Sequence, residues 1–297
     1  MREPPSEDTA RRLLKTVLPD GDGDGVELRA VAGDGGHAAW RVGTGHVLRL
    51  AADGPASREL RREVRLRDLV RPYVTVAVPA CAAAGEWAPG LAYTLDTRLP
   101  GASAEIRDVT AAGEEDLAGL LAGLRTVPVA RAVPLGAPTV APRSLENLRR
   151  EAGVVAGRLD GAGEFEAARL GQLTAQGVTQ LGPQPDAVLV HHGLNGERLT
   201  VSADGRVRGV LGWAGVVVGD PAEDIAGLAI SVGARAAVRG ATLAGYGARV
   251  CLRGLWLGRC DALVRLSARL ADGGDVGLSR IRLERAWEPI LLELVTD

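Results

Sequence analysis

Apolar residues at helical spacing open the chain: Ala10, Leu13, Leu14, Val17 and Leu18 share one side of a pattern over 8–18, and the Asp-Gly run at 20–25 predicts its end. From Val26 to Leu50 the period shortens. Alternating and β-branched runs are punctuated by Gly33-Asp34-Gly35-Gly36 and Gly43-Thr44-Gly45, which predicts an antiparallel meander with tight turns. Residues 56–70 return to helical spacing, with Leu60, Val64, Leu66 and Leu69 set among arginines, Glu59 and Glu63. Two strand-like runs follow, at 74–80 and 91–99, before Pro100-Gly101.

Beyond that point the pattern is helical over 114–125, 144–160 and 165–180. A predicted strand pair at 187–191 and 199–211, hinged on Asp204-Gly205, interrupts it, and helix resumes over 222–272 and 279–295. The proline-rich stretch 128–143 reads as a surface loop between helices. Strands first and helices second is the order of an α+β chain with two lobes. The expected division is a sheet lobe with its entry helix at 1–100 and a helical lobe at 101–297, joined near 98–104.

Composition narrows the function classes. A chain of 297 residues, 46% hydrophobic, has enough apolar material for two modest cores. A formal charge of -2 gives no electrostatic reason to expect nucleic acid or an anionic membrane surface as a partner. Cys81, Cys251 and Cys260 have neither zinc-site spacing nor an even disulfide framework. No run approaches the roughly 18 apolar residues of a membrane span, and the first residues lack an apolar export core, so a reduced, cytoplasmic setting is expected.

The chemistry-bearing stretches lie late in the chain. Residues 188–201 read Val-Leu-Val-His-His-Gly-Leu-Asn-Gly-Glu-Arg-Leu-Thr-Val, and residues 209–225 carry Gly212-Trp213, Gly219-Asp220-Pro221 and Asp224. Together with Val47-Leu48-Arg49-Leu50, Glu63, Val78-Pro79, Leu91-Ala92-Tyr93-Thr94 and Leu99-Pro100-Gly101, in that order, they resemble the aminoglycoside phosphotransferase family. The resemblance covers about residues 26 to 290 and implies a protein-kinase-like bilobal fold, with an antiparallel-sheet N-lobe and a mainly helical C-lobe. It also implies roles: Arg49 for the cation on nucleotide phosphates, Glu63 for the helix carboxylate that steadies it, and residues 188–225 for the catalytic loop and metal site.

In that family the loop is written His-Gly-Asp-Leu-His-Pro-Gly-Asn and is followed by Ile-Asp-Trp. Here His191, Leu194, Leu199, Trp213, Asp220 and Asp224 keep their places, while Gly193 falls where the catalytic Asp would be. Arg198 and Gly212 fall on the metal-ligand positions, and Asn195 stands where a His is common. Phosphoryl transfer depends on positioning and on metal ions that neutralise the phosphates. Magnesium asks for oxygen donors in octahedral array, which a guanidinium and a glycine do not provide. Loss of a positioned base removes about 10²–10⁴ in rate, and loss of the metal removes several kcal/mol more.

The expectation is therefore a pseudokinase: no catalytic residue, no magnesium, and a small molecule, nucleotide or protein partner in the interlobe cleft, with Arg49, Glu63 and Arg198 as the cofactor-facing set. ATP or another nucleotide stays an open ligand. Two further readings stand beside it. One is an active phosphotransferase, or a repurposed enzyme, acting on a small-molecule hydroxyl such as an antibiotic's, with His192 or Glu197 as an atypical base and Arg198 and Arg49 neutralising phosphate. The other is an accessory scaffold subunit.

His191 reads as a turn residue bonded to backbone or to Asp224, and His37 and His46 as solvated edge residues. Asp220 and Asp224 read as the start of a helix rather than metal ligands. Arg49 with Glu63 reads equally as a surface ion pair. Gly33-Asp34-Gly35-Gly36 is a hairpin turn or a phosphate cradle. The tryptophans default to packing.

Overall fold

The computed structural model describes residues 5–18, 26–31, 36–184 and 186–290. The entry helix α1 (Glu7–Val17) is capped by Ser6, whose hydroxyl accepts from the Thr9 amide, and it buries Ala10 and Leu14. A five-stranded antiparallel sheet follows, built from β1 (Leu28–Val31), β2 (His37–Val42), β3 (His46–Ala51), β4 (Cys81–Ala88) and β5 (Leu91–Thr97). The order across it is β1-β2-β3-β5-β4. Alternation along β2, β3 and β5 turns Trp40, Leu48, Leu50 and Leu95 onto α1, which closes a small core of its own. The predicted turn at Gly33–Gly35 and the Asp-Gly run at 20–25 lie outside the described residues; Gly36, at φ +78, is within them.

Between β3 and β4 runs α2 (Gly54–Val70), capped by the Asp53 carboxylate on the Ala56 amide at 2.8 Å. Its apolar side splits between the lobes. Leu60 sits under the sheet with Ala51 and Ala92, whereas Leu66, Leu69 and Val70 join the core of the C-lobe. The predicted strand at 74–80 does not form. Pro79 breaks the run, and Ala77 instead bridges the lobes, donating to the Arg208 carbonyl and accepting from the Val210 amide. The edge strand β4 was not legible beforehand. Its Ala-rich sequence has little strand propensity, and it forms because β5 offers an open edge.

The C-lobe begins with β6 (Ala102–Ser103), α3 (Ala111–Thr126) and the one-turn α4 (Val129–Ala132), then α5 (Leu145–Gly161) and α6 (Ala175–Gln180). The expected helix at 165–180 is in fact a 3-10 stretch, Ala167–Gln172, followed by α6. The expected strand pair also divides differently. β7 (Val188–Val190) pairs with β10 (Val217–Gly219), while β8 (Leu199–Val201) and β9 (Val207–Val210) form a hairpin around Asp204-Gly205. The β7–β10 pair and the β8–β9 hairpin nested within it place residues 191–198 and 211–216 side by side. The expected run 222–272 breaks into α7 (Ala222–Ser231), α8 (Ala234–Leu243) and α9 (Ala248–Ala271), with left-handed Gly233 and Gly245 at the breaks. The last helix, α10 (Gly277–Ala286), covers the first half of the predicted 279–295, and 291–295 lie outside the described residues. No described helix is long and apolar enough to cross a membrane.

Candidate functional site between the lobes

The turn after β7 is held from below by one carboxylate. Asp224, in the first turn of α7, accepts the backbone N–H of His191 at 2.8 Å and of His192 at 2.9 Å. These two hydrogen bonds hold the turn with His192 at φ +57, a left-handed conformation that a non-glycine residue adopts at a cost of about 1–3 kcal/mol. The His191 ring is fully buried. Its Nε2 donates to the Leu211 carbonyl at 3.0 Å, and the ring makes a T-shaped contact with Trp213, centroid to centroid 4.9 Å. Trp213 is anchored in turn by its indole N–H on the Val210 carbonyl at 2.8 Å. Burial pushes His191 down to about 4, so the ring is neutral, and burial pushes Asp224 up to about 7 against the two amide bonds. His191 is thus a structural turn residue.

Gly193 is exposed on this turn. A Cβ added there would find His191 Nδ1, at 4.0 Å, as its only neighbour within that distance. Nothing crowds the place where a carboxylate would stand. Gly212 is the opposite case. It lies at φ +76 at the head of the turn Trp213–Gly215, and a Cβ there would overlap the Arg198 guanidinium and lie 2.5 Å from Arg198 Cδ. Arg198 comes from the 3-10 turn Gly196–Arg198, which is capped by the Asn195 side chain on the Arg198 amide at 3.2 Å. One of the two positions that the resemblance assigns to metal ligands therefore projects a cation into the volume that a side chain at the other would need.

Among the described residues, the acids Asp220 and Glu197 are engaged elsewhere. Asp220 is buried against Arg253, with Oδ2 2.6 Å from Nε, and its Oδ1 accepts from the Ala222 amide at 3.0 Å. Arg253 spends its other donors on the carbonyls of Leu181 and Arg143. Glu197 is 64% exposed and pairs with Arg282 of α10, which also holds Glu105 at 2.7 Å. His192 is exposed beside Gly193. Among the described residues no group of three or more His, Cys, Asp or Glu side chains is placed to hold a metal ion. A magnesium ion does not fit this donor set, because the guanidinium offers only N–H donors and positive charge.

On the N-lobe side Arg49 of β3 and Glu63 of α2 do meet, Nη1 to Oε2 at 2.7 Å, but not as a surface pair. Glu63 is 3% exposed and Arg49 21%. A second carboxylate that sequence reasoning missed also holds Arg49. Asp96 of β5 takes Nε at 3.2 Å and Nη2 at 2.9 Å, and it further binds Arg67 Nη2 at 2.6 Å and the Thr94 hydroxyl at 3.0 Å. The available signal was an aspartate in a strand that otherwise reads as apolar, since a buried carboxylate implies a buried cation. Burial opposes charge on both Arg49 and Asp96, yet the opposite charges outweigh it, holding Arg49 above the usual guanidinium value and Asp96 below the usual carboxylate value. Arg62 of α2 reaches the Ala214 carbonyl and so ties this helix to the turn after Gly212. His37, expected to be solvated, is buried at the start of β2.

A sheet lobe carrying an Arg–Glu pair, hinged to a helical lobe whose two antiparallel strand pairs present a His-turn and a Trp-turn, defines a protein-kinase-like bilobal fold. The phosphotransferase enzyme family model matches residues 27–256, and the chain belongs to that family. Similar solved structures share the fold at low identity. A GDP complex of aminoglycoside 2'-phosphotransferase-IIIa is 16% identical with a TM-score of 0.64, covering 95% of this chain and 97% of that one. The apoenzyme of macrolide 2'-phosphotransferase MphH from Brachybacterium faecium is 20% identical with a TM-score of 0.61, covering 95% and 99%. A streptomycin–ATP ternary complex of APH(2")-IIa is 14% identical with a TM-score of 0.60, covering 96% and 98%. No curated protein sequence matches the chain.

Proposed function

We propose that this chain is a phosphotransferase-family member that has given up magnesium-dependent phosphoryl transfer and uses its interlobe cleft to bind a small anionic molecule, with nucleotide phosphates as the first class to test. One observation carries the reading: the Arg198 guanidinium fills the space that a side chain at Gly212 would need. In a family whose solved members include GDP and ATP complexes, a fixed cation at the metal position favours phosphate oxygens directly and repels a divalent ion. The vacant position at Gly193 removes the base as well.

The test is calorimetric titration of ATP into the protein, once in EDTA and once with magnesium in excess, combined with an ADP-release assay over aminoglycoside and macrolide acceptors. Binding that magnesium leaves unchanged or weakens, with no ADP above the protein-free control, is the expected result. Magnesium-strengthened binding accompanied by acceptor-dependent ADP release would refute the reading.

A further inference from the structure

Arg49 is held differently from a cation that needs a single steadying carboxylate. Four charged side chains form a closed, alternating square: Glu63 lies 2.7 Å from Arg49 and 3.8 Å from Arg67, and Asp96 lies 2.9 Å from Arg49 and 2.6 Å from Arg67. The Arg49–Glu63 pair is complete in charge by itself. Asp96 and Arg67 add a second, deeper pair, with Arg67 2% exposed and Asp96 5%. Its carboxylate takes two of the Arg49 N–H groups, and Glu63 takes a third. A guanidinium has five such groups in a fixed plane, so three carboxylate bonds determine its orientation as well as its charge environment. Strand alternation explains the geometry. Arg49 is cross-strand from Thr94, and Asp96 follows on the same face two residues later, one diagonal step away.

We infer that Asp96 is a positioning residue that turns Arg49 onto β5 and offsets its charge, so that the cleft grips a phosphate weakly as long as this carboxylate is present. Arg67 is the counter-ion that allows the carboxylate to stay buried. The inference rests on the anion-binding reading of the cleft, but it is read as a difference between variants in metal-free buffer, independent of whether magnesium supports turnover.

The experiment is titration of ATP in EDTA into the wild type, Asp96→Asn, and Asp96→Asn/Arg67→Met, each also in an Arg49→Met background, with thermal melts recorded for all. Asp96→Asn is expected to tighten ATP binding about tenfold, the effect of removing one nearby like charge in a partly screened setting. The double variant keeps the charge balance and leaves the single Arg49–Glu63 pair, so it serves if Asp96→Asn does not fold, and it tightens in the same direction by a smaller factor. Both gains vanish with Arg49→Met. A merely structural role for Asp96 would lower the melting temperature and leave affinity unchanged. Equal or weaker ATP affinity in the folded variants, or a gain that persists without Arg49, overturns the inference. Magnesium-dependent ADP release by the wild type would instead sink the functional reading while leaving this comparison intact.

Discussion

The crowding of Gly212 by Arg198 is a stability statement before it is a functional one. Gly212→Ala adds one methyl to a backbone at φ +76, where an L-residue is disfavoured by about 1–2 kcal/mol. The methyl also overlaps the Arg198 guanidinium and sits 2.5 Å from its Cδ, well along the side chain and not at its free end. Forcing that side chain aside adds about 1–3 kcal/mol, the usual range for overpacking. The single variant should therefore lose about 2–5 kcal/mol in urea denaturation. Arg198→Ala ends the side chain at Cβ and removes the overlap but not the backbone strain. A double-mutant cycle should then return a favourable coupling of about 1–3 kcal/mol between the two changes. Gly193→Asp is the internal control: its added Cβ has only His191 Nδ1 within 4.0 Å, so the change should stay within about 0.5 kcal/mol. A neutral Gly212→Ala, or a cycle with no coupling, would refute the packing argument and remove the observation that carries the proposed function. If the coupling holds, a carboxylate at 212 can be reinstalled only together with removal of Arg198.

Three further outcomes follow from buried charges. Burial holds Asp224 at about 7, above its ordinary 3.8, so the folded state binds the extra proton between those values, and the associated stability is lost as pH rises through about 7. His191 runs the other way: held at about 4 against an ordinary 6.5, it contributes above 6.5 and loses that contribution as pH falls through about 4. The two oppose each other, so Asp224→Asn should make stability rise more steeply with pH between about 4.5 and 6.5 than it does in the wild type, and parallel profiles would count against the assignment. Arg253→Met strands the Asp220 carboxylate and the carbonyls of Leu181 and Arg143, and should cost about 3–5 kcal/mol by chemical denaturation, whereas Asp220→Asn/Arg253→Met should cost less than that single change.

The sequence by itself determined the fold family, because the order of its punctuated strands, its helix with Glu63 and its His-turn and Trp-turn is one-dimensional information. It also marks Gly193, Arg198 and Gly212 as the positions where the chain departs from the loop that the resemblance implies. Tertiary structure decided what stands in the space they leave. That Arg198 fills the volume beside Gly212, while the place beside Gly193 stays open, depends on how two strand pairs lie against each other, and no spacing rule contains that distance. The same holds for Asp96 and Arg67: they are 29 residues apart, on a strand and a helix, and their charges become partners only when α2 packs against the sheet and removes both from water. Local periodicity fixes which face a residue occupies, and only packing fixes what it meets there.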